Sequence, residues 1–303
     1  MPENRRYSLE FENAVAEYVT GNLCDRSEKT MFELYTKLGY AHSFFAFCER
    51  YFDLSGKRFI EVGCGTAYVS VAAAQRGAAT YSIDVVDKTL ALAARRFREH
   101  SIPGVILHAD LREPLPIEKW GGAFQIVFCF QVLEHIPRRE QFTALANLFQ
   151  LVAPGGFLFI DTENSLCPYD RHDSHTWLVR LLSQRTYDSI IQALGKGLNF
   201  FEPSAGRAVQ TRDYLSYDEL FGAASVSGFE VINSTMPHED KRQSLRVLTG
   251  SDWLHDNILQ YFDSERFSPI SVLWRKTNDR SRYGAARTRV YSESSGCQRS
   301  RGA

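Results

Sequence analysis

The chain has 303 residues, which is enough for one large domain or two small ones. Hydrophobic residues make up 44% and charged residues 23% of the sequence, as is ordinary for a soluble globular protein. The formal net charge of -1 gives no electrostatic reason to expect a nucleic acid or an anionic membrane as a partner.

The amino-terminal part of the chain, residues 1–52, is expected to form a helical lid. Aromatic residues recur at near-helical spacing within residues 29–52, which predicts one or two helices there. These helices are expected to close over a pocket in the domain that follows.

Residues 53–276 are expected to form a doubly wound α/β domain. Short apolar runs alternate with amphipathic segments, an order typical of a parallel sheet covered by helices on both faces. The candidate strands are 58–62, 79–84, 104–109, 124–130 and 156–161, and the candidate helices are 67–76, 88–99 and 139–151. Asp87 is the expected N-cap of the second helix, and Pro154-Gly155-Gly156 is expected to break the chain after the third.

The pattern is less regular in the last part of the chain. Residues 163–210 and 236–267 are expected to be insertions into the domain. Residues 216–232 predict a helix followed by a strand, and residues 268–276 predict the last strand. The tail, 277–303, is rich in Arg, Ser and Gly with few periodic apolar residues, so we expect it to be disordered.

The expected location is the cytoplasm. The first residues include two arginines but no apolar h-region behind them, so no signal peptide is predicted. No apolar run approaches the ~20 residues of a membrane-spanning helix. The six cysteines form no CxxC pair, so we expect reduced thiols and neither a zinc site nor a disulfide framework.

The segment FIEVGCGTAYVS, residues 59–70, predicts a strand that leads through a glycine turn into a helix. Asp84 ends the next predicted strand, where a carboxylate can accept hydrogen bonds from both hydroxyls of a ribose. Gly63 and Gly65 are present, but Tyr68 stands where the dinucleotide fingerprint has its third small residue. The expected ligand therefore contains an adenosine-like ribose without needing a pyrophosphate cradle, and S-adenosylmethionine fits that description.

Several motifs in order make the chain similar to the class I S-adenosylmethionine-dependent methyltransferases. Residues 61–65 (EVGCG) resemble the family's first motif, and residues 108–111, 124–136 and 151–160 resemble the motifs of its third, fourth and fifth strands. Residues 214–231 are similar to the unit that opens its final antiparallel hairpin. The resemblance implies a Rossmann-like, doubly wound, seven-stranded sheet, mostly parallel with a carboxyl-terminal antiparallel hairpin, and S-adenosylmethionine as the cofactor.

The resemblance also implies which residues bind the cofactor. The glycine loop would approach the methionine part, Asp84 would bind the ribose hydroxyls, and Asp110 would accept from the adenine amino group. Phe130 and Gln131 lie where members of the family line the cofactor pocket, although Phe130 is equally consistent with a core position. Tyr40 of the lid is expected to cover the cofactor. The full predicted set is Tyr40, Glu61, Gly63, Cys64, Gly65, Asp84, Val85, Asp110, Leu111, Phe130 and Gln131.

Methyl transfer from a sulfonium is an in-line displacement, in which the protein mainly aligns the nucleophile and excludes water. A hydroxyl nucleophile benefits from a general base, and histidine is the natural proton acceptor near neutral pH. The candidate catalytic residues are His135, after the fourth strand, and His172 and His175, after the fifth. The alternatives are a structural role for His135 and an exposed lid for the other two.

A metal-assisted mechanism is the less favoured alternative. Glu134 and His135 offer oxygen and nitrogen ligands to a divalent ion. Some members of the family resemble this with Glu-x-x-Glu-His, but Gln131 stands here at the first acidic position. We therefore assign no metal site.

The expected function is methylation of a small-molecule acceptor, with oxygen favoured over nitrogen or carbon and a sugar or glycan precursor as an alternative acceptor. The segment after the fourth strand has neither an Asn/Asp-Pro-Pro-Tyr amine site nor a Pro-Cys pair, so no nucleic acid is expected as a substrate. Functions of another class are a dinucleotide-dependent oxidoreductase, against which Tyr68 argues, and a cofactor-binding module without turnover, against which the polar residues at 163–175 argue. The oligomeric state stays open.

Overall fold

The computed structural model describes residues 7–22, 39–167, 169–170, 176–177, 186, 189, 214–233 and 270–277. The α-helices are α1 (Leu9–Asn22), α2 (Gly39–Cys48), α3 (Tyr68–Ala74), α4 (Asp87–Glu99), α5 (Arg138–Leu151) and α6 (Tyr217–Val226). The strands of the main sheet are β1 (Arg58–Val62), β2 (Ala79–Asp84), β3 (Val105–His108), β4 (Phe124–Phe130), β5 (Val152–Thr162), β6 (Phe229–Asn233) and β7 (Ile270–Lys276). Short 3-10 turns at Ile117–Trp120 and Leu133–His135 lie on either side of β4.

The main sheet has seven strands in the order β3-β2-β1-β4-β5-β7-β6. Strands β1 to β5 are parallel to one another, whereas β7 runs antiparallel to both β5 and β6. The chain reverses its direction of winding between β1 and β4, and ligands of open α/β sheets bind beyond the carboxyl ends of the strands at such a point. This topology confirms the predicted doubly wound sheet and its antiparallel carboxyl-terminal pair.

The core lies on both faces of the sheet, because side chains alternate between the faces along each central strand. Val127 and Cys129 of β4 belong to the cluster that includes Leu145 and Leu148 of α5. Phe128 lies on the opposite face, in the cluster that includes residues of α2 and α3. The continuous apolar run of β4 is therefore explained by burial on two sides.

Helix α2 contributes aromatic side chains to this second cluster. The rings of Phe44 and Phe45 lie 4.8 Å and 5.4 Å from the ring of Phe128, and Phe44 also lies 4.4 Å from Phe159 of β5. Tyr68, at the start of α3, is buried in the same cluster. These aromatic residues of the predicted lid segment thus pack against the sheet.

Two predicted details are wrong. Asp87 is not the N-cap of α4 but its first residue, and the N-cap of the helix is Val86. The backbone nitrogen of Val86 donates to Oδ1 of Asp84 at 2.9 Å. Pro154-Gly155-Gly156 does not separate the third helix from the strand, because β5 begins at Val152 and includes these residues; its pairing with β4 is interrupted by a bulge and resumes at Phe157, five residues after Val152. A proline is tolerated at such a bulge because no ladder hydrogen bond is required of it.

Several predicted segments lie outside the described residues. They include 23–38 of the predicted lid, most of the insertion 163–210, all of the insertion 236–267, and 278–303 of the tail. Within the first insertion, Tyr169–Asp170 pairs with Thr176–Trp177 in an antiparallel ladder. Across the described ranges, every helix is too short or too polar to cross a bilayer.

Candidate active site

The loop between β1 and α3 turns through three residues with positive φ, namely Gly63 at 66°, Gly65 at 50° and Ala67 at 55°. A Cβ atom on Gly63 would lie 2.2 Å from Cγ2 of Val132, so packing requires glycine here as well as the backbone conformation. A Cβ atom on Gly65 would meet nothing within 4 Å. The two glycines therefore differ: Gly63 packs the loop against the segment after β4, whereas Gly65 has open space beside its backbone.

Asp84, the last residue of β2, joins this loop to the start of α4. Its Oδ2 accepts a hydrogen bond from the backbone nitrogen of Gly65 at 2.8 Å, and its Oδ1 accepts from that of Val86. Burial raises the pKa of Asp84 above its ordinary value, while these backbone hydrogen bonds and nearby His108 act in the opposite direction. The backbone of Val85 also donates to this carboxylate, and its remaining acceptor capacity can serve a ligand hydroxyl on the open side of Gly65.

Glu61 is directed into the protein, where it is 3% exposed. Its Oε2 accepts from the backbone nitrogen of Ser70 at 2.8 Å and from its hydroxyl at 2.5 Å, and Ser82 donates to the same hydroxyl at 2.8 Å. Burial is the largest cause that raises the pKa of Glu61 to about 8, and the hydrogen bonds from Ser70 and the charge of Arg96 only partly oppose it. Glu61 therefore fixes α3 to β1, and its predicted contact with the cofactor stays a prediction.

Three other predicted cofactor residues, Cys64, Val85 and Leu111, follow the ends of the first three strands. Cys64 is 2% exposed, and burial raises the pKa of its thiol well above the ordinary value, so the thiol stays protonated. Leu111 is buried in the core, whereas Val85 is 36% exposed directly after Asp84. Of these three side chains, that of Val85 is the one accessible at the edge of the sheet.

Asp110 lies after β3 in an ion pair with Arg112. The Oδ1 of Asp110 accepts from the backbone nitrogen of Arg112 at 2.9 Å and from its Nε at 2.8 Å, and Oδ2 accepts from Nη2. Arg112 also donates to Oε2 of Glu140 at 3.3 Å. The hydrogen bond to Asp110 is the largest cause that raises the pKa of Arg112. An adenine amino group at Asp110 would therefore share this carboxylate with a guanidinium.

Gln131 follows β4 with a φ of 56°, which is uncommon for a residue other than glycine and typical of strained positions at functional sites. Its backbone nitrogen donates to the carbonyl oxygen of Asp161 at 2.8 Å, and its side-chain nitrogen donates to Oδ1 of the same residue. The hydroxyl of Ser271 donates to Oδ2 of Asp161. The ends of β4, β5 and β7 are thus joined at this point, and Phe130, half-buried, packs against the core beside it.

His135 lies in the 3-10 turn Leu133–His135, and its backbone nitrogen donates to the carbonyl oxygen of Val132 at 3.0 Å. Glu134 is buried and its Oε2 accepts from the hydroxyl of Thr162 at 2.9 Å, whereas His135 is partly exposed. Because Val132 contacts Gly63, this turn lies next to the glycine loop. Among the residues that the structure describes, no group of three His, Cys, Asp or Glu side chains is placed to hold a metal ion.

The remaining predicted site residues cannot be placed by their side chains. Tyr40 belongs to α2, but its side chain lies outside what the structure describes. His172 and His175 lie outside the described residues altogether.

Sequence reasoning did not single out Arg96, Arg112 or Asp161. Asp161 had a signal, since it is a carboxylate at the end of a strand whose carboxyl end faces the site. Arg96 also had one, because it follows Leu92 and Ala93 at helical spacing and therefore falls on the apolar face of its helix. For Arg112, the only signal in the sequence was its closeness to Asp110 along the chain.

Residues 60–160 match a protein family described as methyltransferase domain. The matched region runs from β1 to β5 and includes the glycine loop, Asp84, Asp110 and His135. The chain carries an S-adenosylmethionine-dependent methyltransferase domain. The predicted enzyme class and cofactor are thereby confirmed, and the open side of Gly65 beside the Asp84 carboxylate fits an adenosyl group.

The methyltransferase is similar to named enzymes over different lengths. It is 26% identical over 205 residues to the ubiquinone biosynthesis O-methyltransferase of Chromobacterium violaceum, covering 63% of this chain and 81% of that protein. It is 32% identical over 111 residues to the protein of the same name from Pseudomonas aeruginosa, covering 37% of this chain and 46% of that protein. The chain thus spans most of the first relative and about half of the second.

A solved structure shows the same fold. The magnesium protoporphyrin IX methyltransferase from Synechocystis PCC 6803, with bound S-adenosylhomocysteine, superposes on the methyltransferase with a TM-score of 0.50. The comparison covers 87% of this chain and 93% of that one at 16% sequence identity. At this identity the likeness concerns the class I fold and not the acceptor.

Proposed function

We propose that this methyltransferase transfers the methyl group of S-adenosylmethionine to a hydroxyl oxygen of a small-molecule acceptor. The observation that carries the proposal is the alignment with 81% of a protein named an O-methyltransferase. The formal net charge of -1 supports a small molecule rather than a nucleic acid as the acceptor.

His135 is the proposed general base. Its side chain is partly exposed beside the glycine loop, whereas the neighbouring carboxylate of Glu134 is buried and accepts from Thr162. In the proposed step the acceptor oxygen forms a bond to the methyl carbon while the carbon–sulfur bond breaks. The imidazole takes the hydroxyl proton, and S-adenosylhomocysteine leaves. His172 and His175 are the alternative bases.

The cofactor is proposed to lie across the carboxyl ends of β1, β2 and β4. Asp84 would accept from the ribose hydroxyls, because its carboxylate adjoins the open side of Gly65. Asp110 would accept from the adenine amino group, and Gln131 and Phe130 would wall the cofactor at the other end. The other proposed contacts are Tyr40, Glu61, Gly63, Cys64, Val85 and Leu111.

The test is a panel of acceptors incubated with the full chain and S-adenosylmethionine labelled on its methyl group. The panel contains phenols, catechols, sugars, primary amines and acidic carbon compounds, and product masses identify the methylated atom. We expect S-adenosylhomocysteine to form with hydroxyl acceptors. Transfer only to nitrogen or carbon would contradict the proposed oxygen acceptor. Binding of S-adenosylhomocysteine without transfer to any acceptor would indicate a module without turnover.

Once an acceptor is found, His135→Ala tests the base. We expect kcat to fall by about 10²–10⁴-fold, the usual contribution of general acid–base catalysis, with little change in the Kd of S-adenosylhomocysteine. His172→Ala and His175→Ala are the matched variants. A loss of activity in His172→Ala or His175→Ala, but not in His135→Ala, would assign the general base to the segment after β5.

A further inference from the structure

Arg96 is an arginine inside the protein. It belongs to α4 and is 0% exposed, on the same face of the helix as Leu92 and Phe97. Burying a guanidinium is costly unless partners compensate for the lost water, so a buried arginine needs an account of what surrounds it.

One partner of Arg96 is the loop that follows β1. Its Nη2 donates to Oγ1 of Thr66 at 3.2 Å, and Thr66 is itself 0% exposed. Thr66 lies between Gly65 and Ala67, both of which have positive φ. A hydrogen bond at this residue restrains the part of the loop in which the backbone is conformationally least favourable.

Two aromatic partners come from the amino-terminal segment. The guanidinium carbon of Arg96 lies 5.5 Å from the ring centre of Tyr7 and 5.3 Å from that of Phe11, distances at which rings attract a cation. Phe11 of α1 packs with Leu92 of α4. The rings of Tyr7 and Phe11 stack on each other with their centres 4.5 Å apart. Helix α1 therefore covers the guanidinium from outside.

The charge of Arg96 also acts on β1. It opposes the burial that disfavours the ionised form of Glu61, the carboxyl group that holds α3 through Ser70. Arg96 thus acts on both ends of the loop, through a hydrogen bond at Thr66 and through its charge at Glu61.

We propose that Arg96 is a positioning residue for the cofactor loop: it holds Thr66 from a buried position on α4, under the cover of Tyr7 and Phe11. This inference rests on S-adenosylmethionine being the ligand of that loop, as in the proposed function, but not on the identity of the acceptor. It gives the amino-terminal helix a part in cofactor binding through a residue that touches neither cofactor nor substrate.

The test compares three variants of the full chain by calorimetric titration with S-adenosylhomocysteine. Arg96→Met removes the charge and the hydrogen bond, Arg96→Lys keeps the charge, and Thr66→Val removes the acceptor with little change of shape. The matched control is Arg95→Met, because the adjacent Arg95 pairs with Glu10 of α1 at 3.7 Å on the surface. Hydrogen exchange of the loop amides without ligand gives a second readout.

We expect Arg96→Met and Thr66→Val to raise the Kd by about tenfold and to speed exchange at residues 65–67, with partial recovery in Arg96→Lys. Arg95→Met should stay within about twofold of the wild type. An unchanged Kd in Thr66→Val would overturn the proposal. So would a loss of affinity for S-adenosylhomocysteine in Arg95→Met as large as that in Arg96→Met. If Arg96→Met does not fold, Thr66→Val decides. A wild-type chain that fails to bind S-adenosylhomocysteine would instead refute the cofactor assignment.

Discussion

The backbone nitrogen of Gly65 donates a hydrogen bond to Oδ2 of Asp84 at 2.8 Å. This bond joins the loop after β1 to the end of β2, and Oδ1 of the same carboxylate accepts from Val86 at the start of α4. One side chain thus fixes two loops before any ligand binds. A group held in this way is pre-organised to accept from a ribose, since its orientation need not be ordered by the ligand.

Asp84→Ala is expected to weaken binding of S-adenosylhomocysteine by ~1.5–3 kcal/mol, the scale of hydrogen bonds lost to a charged group. The variant loses the proposed acceptor for the ribose and also releases the backbone nitrogen of Gly65. Asp87→Ala is the matched control, because that carboxylate is 84% exposed and pairs with His108 at 3.3 Å. Isothermal titration measures the Kd of S-adenosylhomocysteine for both variants. An unchanged Kd in Asp84→Ala would contradict the assignment of Asp84 to the ribose hydroxyls.

Gly63→Ala is expected to lower the free energy of unfolding more than Gly65→Ala. Both positions have positive φ, which costs an alanine about 1–2 kcal/mol. The new methyl group at Gly63 would also overlap Val132, which adds about 1–3 kcal/mol of overpacking, whereas at Gly65 it would enter open space. Urea denaturation measures the two losses, and equal losses would contradict the different roles of the two glycines.

The double variant Gly63→Ala with Val132→Ala separates these two causes. Removing the Val132 side chain makes room for the new methyl group but leaves the backbone strain. The loss in the double variant should therefore be smaller than the sum of the two single losses, because the two residues are in contact. Strict additivity would mean that the contact with Val132 plays no part in the requirement for glycine.

The sequence alone was enough for most of the sheet. Strands 58–62, 79–84 and 124–130 were predicted with the bounds that the structure shows, because buried parallel strands read as short apolar runs between turn residues. The bulge in β5 was not predictable, since it depends on which residue of β4 pairs with Val152. The N-cap at Val86 was missed for a similar reason: the capping interaction comes from Asp84 instead of from a polar residue at the cap itself.

Less of the site was predictable, because its details depend on contacts between distant residues. The glycine loop and Asp84 follow a local pattern, and the structure places them together. That Gly63 packs on Val132, or that Arg96 reaches Thr66, requires two segments to meet in the fold. Helical spacing places Arg96 on the apolar face of its helix, but the segments that bury it, α1 and the glycine loop, became evident only from the packing.

Glu61→Gln is expected to change how stability depends on pH. The pKa of Glu61 in the folded chain, about 8, lies above the ordinary carboxyl value of 4.5. The folded state therefore binds this proton more tightly than the unfolded state does. The stabilisation is fully present below the ordinary value and is lost as the pH rises through the folded pKa, by up to about 1.4 kcal/mol per pH unit. Urea denaturation between pH 5 and pH 9 should show the wild type losing stability relative to Glu61→Gln.

Ser70→Ala provides an independent check of this pH dependence. The hydroxyl of Ser70 donates to Glu61 and favours its ionised form, so removing it should raise the pKa of Glu61 further. The loss of stability relative to the double variant Glu61→Gln with Ser70→Ala should then continue to a higher pH than in the wild-type pair, because only the folded-state pKa has changed. A stability difference between wild type and Glu61→Gln that stays flat from pH 5 to pH 9 would show that Glu61 does not titrate in this range.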